Sequence, residues 1–230
     1  MMIDQSTLRG RIIAAAMKLA GERSWQDVTL LDIAESIGLT LVDIKHEFSS
    51  KSEILAAFSR SVDDEVLRRA PKREHEMSAR DAIFEIVMTR FDVLAPYKPA
   101  IQSIADSSPT PDPAMLRSAL ASQHWMLQAA GVDTSGVAGG LKVSGLAGLY
   151  ASVLRTWLKD DDPGLARTMA ALDRRLRRGE RTLTNISDVK AGLGRIADAI
   201  GSLASRRRRT DDHAAPDSTP RPHDTPSTSI

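Results

Sequence analysis

The chain has 230 residues, 42% of them hydrophobic and 27% charged, with a formal net charge of +1 and no cysteine. That length allows one or two domains around a real apolar core, and the missing cysteines remove disulfides, thiolate catalysis and cysteine-ligated metal sites together. No uninterrupted run of 18 apolar residues occurs, so no membrane-spanning helix is expected, and no signal or transit pattern opens the chain, because helical periodicity begins near Leu8 and Asp4 breaks any basic leader.

Every segment reads as helix. Leu8, Ile12, Ala16 and Leu19 stripe the first, with Ser6 or Thr7 as its cap. Residues 29–53 then carry three helix starts in a row. Thr29-x-x-Asp32, Thr40-x-x-Asp43 and Ser50-x-x-Glu53 each fit the capping box, in which a hydroxyl caps and an acid reaches back. Gly38 stands where a short helix should stop, since glycine takes the left-handed terminus without strain. Gly38-Leu39-Thr40 is the length of a helix-turn-helix turn. Leu30, Ile33, Ala34 and Ile37 give one face of the first short helix, and Leu41, Ile44 and Phe48 one face of the second. Val42, Asp43, Lys45, His46 and Glu47 are left outward.

Ile54, Phe58, Val62 and Val66 stripe a long helix from about Lys51 to Arg69, broken by Pro71 and a charged stretch. Ile83, Ile86, Val87, Phe91 and Leu94 make the next, stopped by Pro96 and Pro99. A short piece over Ile101–Ala105 precedes the breaker-rich stretch 107–113. Met115, Leu116, Leu120, Trp125 and Leu127 lie on a helix that Gly131 ends. Val143, Leu146, Ala147, Tyr150, Val153, Leu154 and Trp157 form a wide stripe on a long helix, and Leu165, Met169, Leu172 and Leu176 mark another. The expected fold class is all-α, a small helix-turn-helix domain on a larger helical bundle. Four regions are expected: the head over 1–58, the bundle over 59–180, a basic amphipathic helix over 181–209, and a disordered tail over 210–230.

Residues 1–60 carry seven bases against eight acids, whereas a nucleic-acid reader usually has a basic footprint. Lys45, His46, Lys51, Arg9 and Arg11 are the residues able to form a local patch. Asp43 is occupied if it serves as a cap; Glu47 has no such role in sight.

Residues 12–58 resemble the DNA-binding domain of tetracycline-repressor (TetR) type regulators. The matching landmarks are Ala15-Ala16, Leu19, Trp25, Val28-Thr29, Asp32-Ile33-Ala34, Gly38, Ile44, Phe48, Ser50-Lys51 and Leu55. That family's recognition helix commonly reads S-x-G-T-L-Y-x-[HY]-F. Here the buried positions match, while glycine has become Val42, threonine Asp43, the phosphate-touching tyrosine Lys45, and the histidine or tyrosine Glu47. The resemblance implies a homodimer that binds double-stranded DNA through Thr29, Thr40, Leu41, Val42, Asp43, Lys45, His46 and Lys51. It also implies an apolar cavity between the bundle helices, with Phe91, Trp125, Met126, Leu146, Tyr150 and Trp157 as the residues expected near a ligand; plain core is the alternative for each. Gly139, Gly140, Gly145 and Gly148 are costly inside a helix and point to close helix approach, within the bundle or across a dimer interface.

A second resemblance covers Arg80–Leu176. Arg80-Asp81-Ala82, Leu94-Ala95-Pro96-Tyr97, Ala130-Gly131-Val132-Asp133-Thr134-Ser135 and Trp157-Leu158-Lys159-Asp160-Asp161-Asp162-Pro163 look like the Coq-nine-type lipid-binding family of ubiquinone biosynthesis, itself TetR-like. It implies a carrier that presents an isoprenoid lipid at a membrane. The two readings part at residues 40–51, where a basic face favours the regulator and an acidic one the carrier.

Beyond the bundle, Leu183, Ile186, Val189, Leu193, Ile196, Ile200 and Leu203 recur at helical spacing, followed directly by Arg206, Arg207, Arg208 and Arg209. From Leu165 to Arg209 there are twelve bases and four acids. An apolar stripe with a basic flank suits a helix lying on an anionic membrane. A helix docked on the bundle or a partner, or arginines on nucleic acid, are the alternatives. The expected setting is therefore cytoplasmic, with peripheral attachment to the inner face of the membrane open. The five histidines are scattered without metal-ligand spacing and no Gly-rich phosphate loop occurs, so neither an enzyme nor a cofactor is expected.

Overall fold

The computed structural model describes residues 3–70, 77–107 and 112–180. The helix expected over 182–205, the arginine run and the tail lie outside the described residues, as do the charged stretch at 71–76 and the breakers at 108–111. Met1–Glu180 is a single unit. It comprises α1 (Leu8–Glu22), α2 (Leu30–Ser36), α3 (Leu41–Glu47), α4 (Lys51–Arg69), α5 (Ala79–Leu94), α6 (Lys98–Ser107), α7 (Pro113–Ala129) and α8 (Gly136–Leu158). A further helical run covers 166–180. No strand occurs among the described residues.

Local signals set most of the boundaries. Thr7 caps α1 by accepting from the Gly10 amide. Gly38 ends α2 at φ +68. There the Leu39 amide donates to Ala34 O at 2.9 Å and the Gly38 amide to Glu35 O at 3.2 Å, which satisfies the last carbonyls of the helix. The same pair of bonds, from Val132 to Leu127 and Gly131 to Gln128, ends α7. α5 ends at Leu94, just before Pro96 as expected, and the two prolines then turn the chain. Pro96 opens a 3-10 turn over Ala95–Tyr97 and Pro99 lies in the first turn of α6, where a missing amide hydrogen leaves no bond unmade.

One apolar core runs through the unit. Ile12, Ala16, Ile33, Ala34, Ile44, Phe48 and Ile54 are buried in the head, and the same cluster continues through Val62, Val66, Phe91, Met126 and Trp157. α4 carries it across, packing on α1, α5 and α7, while α6 packs on α1. The end of α1 is pinned to α6 through Ser103, whose hydroxyl donates to Arg23 O and accepts from the Trp25 amide at 2.9 Å.

Two sequence expectations are corrected here. Leu41, placed on the buried face of α3, is 47% exposed, because Ile44 and Phe48 alone reach the core and Leu41 stands in the first turn beside Val42. The third capping box is incomplete. Ser50 accepts from the Glu53 amide, but the Glu53 carboxylate turns back to the amide and hydroxyl of Ser49, at 2.8 and 2.9 Å. By length and composition alone, α8 also passes as long and apolar enough to cross a membrane. Its valines and leucines keep the average high, although Lys142 and Ser144 break the apolar run.

The glycines of α8 divide into two kinds. A Cβ on Gly139 would fall 1.9 Å from Thr134 O, so only glycine lets the preceding loop fold onto the first turn. Gly140, Gly145 and Gly148 have nothing within 4 Å of a built Cβ, so tight packing inside this unit does not explain them. They lie on an exposed face with Val137 and Leu141.

Candidate functional site

The bundle encloses a polar knot that periodicity did not single out. Arg90 of α5 is buried and donates to Asp63 of α4 through Nη1 and to the Tyr150 hydroxyl of α8 at 3.2 Å. Ser122 of α7 donates to the other Asp63 oxygen at 2.7 Å, and Ser59 lies 3.2 Å from Ser122. Burial alone would push the Arg90 guanidinium down. The oxygens of Tyr150 and Asp63 more than offset that and hold it above its ordinary value, so the guanidinium stays charged. Each member finds partners, as buried charges must.

Beside the knot lies a cavity of about 190 Å³. Its walls come from Met17 of α1, Leu55 and Phe58 of α4, Leu94 of α5, Ile101 and Ile104 of α6, Met115 and Gln123 of α7, and Tyr150 and Leu154 of α8. Arg90, Ser59 and Ser122 form its polar side. Gln123 is buried, and its side-chain carbonyl oxygen has no hydrogen-bond partner.

Of the six residues expected near a ligand, Tyr150 alone lines this cavity. Phe91 is sandwiched between Tyr150 and Trp157, with ring centroids 5.5 and 5.3 Å away. Phe91 and Trp157 are thus core stacking, and Met126 and Leu146 are buried in the same cluster. Trp125 is 51% exposed and borders a second, larger pocket of about 650 Å³ between α1, α4 and α7. It faces outward because Met126, one residue on, is the α7 side chain that faces the core.

The residues missed were Asp63, Arg90, Ser122 and Gln123. A signal for Arg90 was present: it falls in the α5 stripe, four residues after Ile86 and four before Leu94. Among the described residues no cluster of His, Asp or Glu could hold a metal ion.

The head is held by its caps. Thr29 and Thr40 each accept from the amide three residues on, and Asp32 and Asp43 reach back to the threonine amides at 2.7 and 2.8 Å. Asp32 is pulled down to about 2 by the Thr29 hydroxyl and amide and then by Arg23. Asp43 is lowered by the Thr40 amide and then its hydroxyl. Asp43 is therefore spent on the cap rather than standing free on the outer face.

Glu47 also has a partner, which the sequence did not reveal. Arg9 donates to Glu47 O at 2.8 Å, lies 3.6 Å from its carboxylate, and covers the Phe48 ring at 4.1 Å. Arg11 donates to Ile37 O at 3.1 Å. The Lys51 ammonium donates to Trp25 O at 2.7 Å and to Val28 O, above the Trp25 ring, and burial lowers it from its ordinary value. Three of the five residues expected as a patch, Arg9, Arg11 and Lys51, thus engage backbone carbonyls of the head. The side chains of Lys45 and His46 stay exposed and make no hydrogen bond or ion pair among the described residues, and Leu41 and Val42 are 47% and 59% exposed beside them.

Residues 12–58 match the family model for bacterial regulatory proteins of the tetR family. The match spans α1 to α3 and the first turns of α4. Two solved structures share the fold. One is a TetR transcriptional regulator from Nitrosomonas europaea ATCC 19718, 22% identical, covering 75% of this chain and 97% of its own, with a TM-score of 0.59. The other is a TetR transcriptional regulator from Rhodococcus sp. RHA1, 18% identical, covering 76% and 96%, also with a TM-score of 0.59. At those identities the likeness establishes the TetR-like fold, a helix-turn-helix head on a larger helical region. No curated protein matches the chain. The resemblance to the Coq-nine-type family receives no support from these comparisons.

Set on the tetR-type pattern, the departures of α3 now have physical content. Asp43 supplies a second capping contact. Glu47 lies beside Arg9. Val42 and Lys45 put a branched apolar group and a cation on the face that the family pattern fills with glycine and tyrosine.

Proposed function

We propose that the chain is a transcriptional regulator of the TetR type, a homodimer that binds operator DNA through α3 and answers to a small molecule held in its bundle. The observation that carries this is the outer face of α3. Both acids near it are engaged by partners within the head, while Lys45 and His46 point outward with Leu41 and Val42. A lysine neutralises phosphate, and apolar side chains in the first turn of a recognition helix suit contact with thymine methyl groups. Lys45 on that face, with both nearby acids engaged within the head, favours the regulator over the lipid carrier.

The division of labour follows the expected boundaries, with residues 1–58 as the reading head and 59–180 for ligand and dimer. A face of α8 that lies open in the single chain, with 17% of its most apolar window buried, supports pairing through α8 and the run at 166–180. An isologous contact there would use the same patch on both subunits and set two heads one helical turn of DNA apart. The cavity is walled partly by α1, α4 and α6, the helices that carry or brace the head. A molecule that fits it better in one head arrangement than the other would shift operator affinity. Such a regulator works in the cytoplasm, where its DNA lies.

The test is selection of genomic fragments by the full chain at low salt, followed by footprinting. A protected, pseudo-palindromic site is the expected result; no selective retention of any fragment would overturn the reading.

A further inference from the structure

The residues of α3 divide by face. At about 100° per residue, Leu41, Lys45, Val42 and His46 follow one another around a single arc of about 140°. Ile44 and the capping Phe48 take the side packed into the head, and Asp43 and Glu47 the flank between. All four side chains of the arc are exposed, and no acid lies among them. Lys45 and His46 can donate a hydrogen bond, to phosphate or to guanine. Leu41 and Val42 can donate none, and neither belongs to the apolar core of the head. The arc holds no Asn or Gln for adenine and no Asp or Glu for cytosine. The feature of a base edge that an aliphatic side chain matches is the C5 methyl group of thymine, which stands in the major groove.

We propose that Leu41 and Val42 are specificity-determining residues of this head, and that each selects one thymine in every half-site by burying its C5 methyl group in the major groove. The inference rests on the regulator reading and adds the class of base that the operator must present. Lys45, one turn further on and between them on the arc, supplies charge without choosing among sequences. Glycine, which the family pattern has where Val42 stands, would offer no such contact, so this recognition belongs to the present chain. Uracil differs from thymine by that methyl group alone. Replacing one by the other therefore removes the contact while every hydrogen-bonding group of the base pair stays in place.

The probe is the site protected in footprinting, synthesised with each thymine of the half-sites replaced in turn by deoxyuridine and titrated with the full chain by fluorescence anisotropy. Two thymines per half-site should respond, each replacement weakening binding about four-fold per methyl group removed, the effect of burying one such group. Leu41→Ser should bring the thymine-to-uracil ratio to about one at the first of these positions and Val42→Ser at the second, with the other position unaffected in each case. Lys45→Ala should weaken both duplexes alike and leave both ratios as they were. Leu41 and Val42 are exposed, so serine at either leaves the head folded, and the uracil series on the unaltered chain decides the matter without the variants. A selected site at which no thymine responds, or ratios that persist in both serine variants, would overturn the proposal and leave the regulator reading standing. If no fragment is selected at all, both fall.

Discussion

Asp32 and Asp43 were legible in the sequence because capping is local: a hydroxyl and an acid three residues apart decide the geometry with no help from distant chain. Glu47 and Lys51 were not, since their partners, Arg9, Trp25 and Val28, come from elements that only folding brings near. The caps also make a pH prediction. Asp32 sits near 2 in the folded head against a usual 3.8. Its folded value lies below the unfolded one, so its stabilising effect is fully present above about pH 4 and is lost as pH falls toward 2. Asp43 is shifted in the same direction. Thermal melts should therefore fall in temperature across that window, and Asp32→Asn should make the fall shallower. A variant whose melts track the unaltered chain between pH 4 and 2 would remove the role given to this carboxylate.

Among the elements, the helices and most of their ends followed from stripes, caps and glycines. α4 was expected over Lys51–Arg69 and occupies those residues. Which side chain on a stripe lines a cavity did not follow, because adjacent positions on a helix point about 100° apart and only neighbouring helices decide between them. Trp125 and Met126 show this, as does Arg90, a charge inside an apolar stripe whose partners sit on three other helices. The Arg90–Asp63 pair has its own consequence. Arg90→Met should destabilise the chain by about 3–5 kcal/mol, because it leaves Asp63 buried without its counter-charge. Adding Asp63→Leu should recover much of that loss, since an apolar pair replaces an ionic one at little cost. Urea denaturation of the single and double variants measures both. A double variant no more stable than the single would mean the knot matters through shape rather than charge.

For the whole molecule, the open face of α8 bears most on assembly. The sequence flagged its glycines but could not say which neighbour they served. Gly140, Gly145 and Gly148 meet nothing within the described unit. Gly148→Leu should therefore leave the single chain folded while weakening association. Sedimentation at micromolar concentration should show the unaltered chain near twice 25.0 kDa and the variant shifted toward one copy. An unaltered chain that sediments as a monomer would remove the dimer, and with it the paired heads.

If α3 reads DNA as proposed, it does so with few cations, Lys45 foremost. The direct measurement is a titration of the selected fragment and a scrambled duplex across a range of salt, with the unaltered chain and Lys45→Ala. The unaltered chain should prefer the selected fragment and lose affinity steeply with salt. Lys45→Ala should bind both duplexes more weakly, with the salt slope reduced by about one for each head that contacts DNA. Equal binding of the two duplexes by the unaltered chain, or a Lys45→Ala slope identical to it, would contradict the reading.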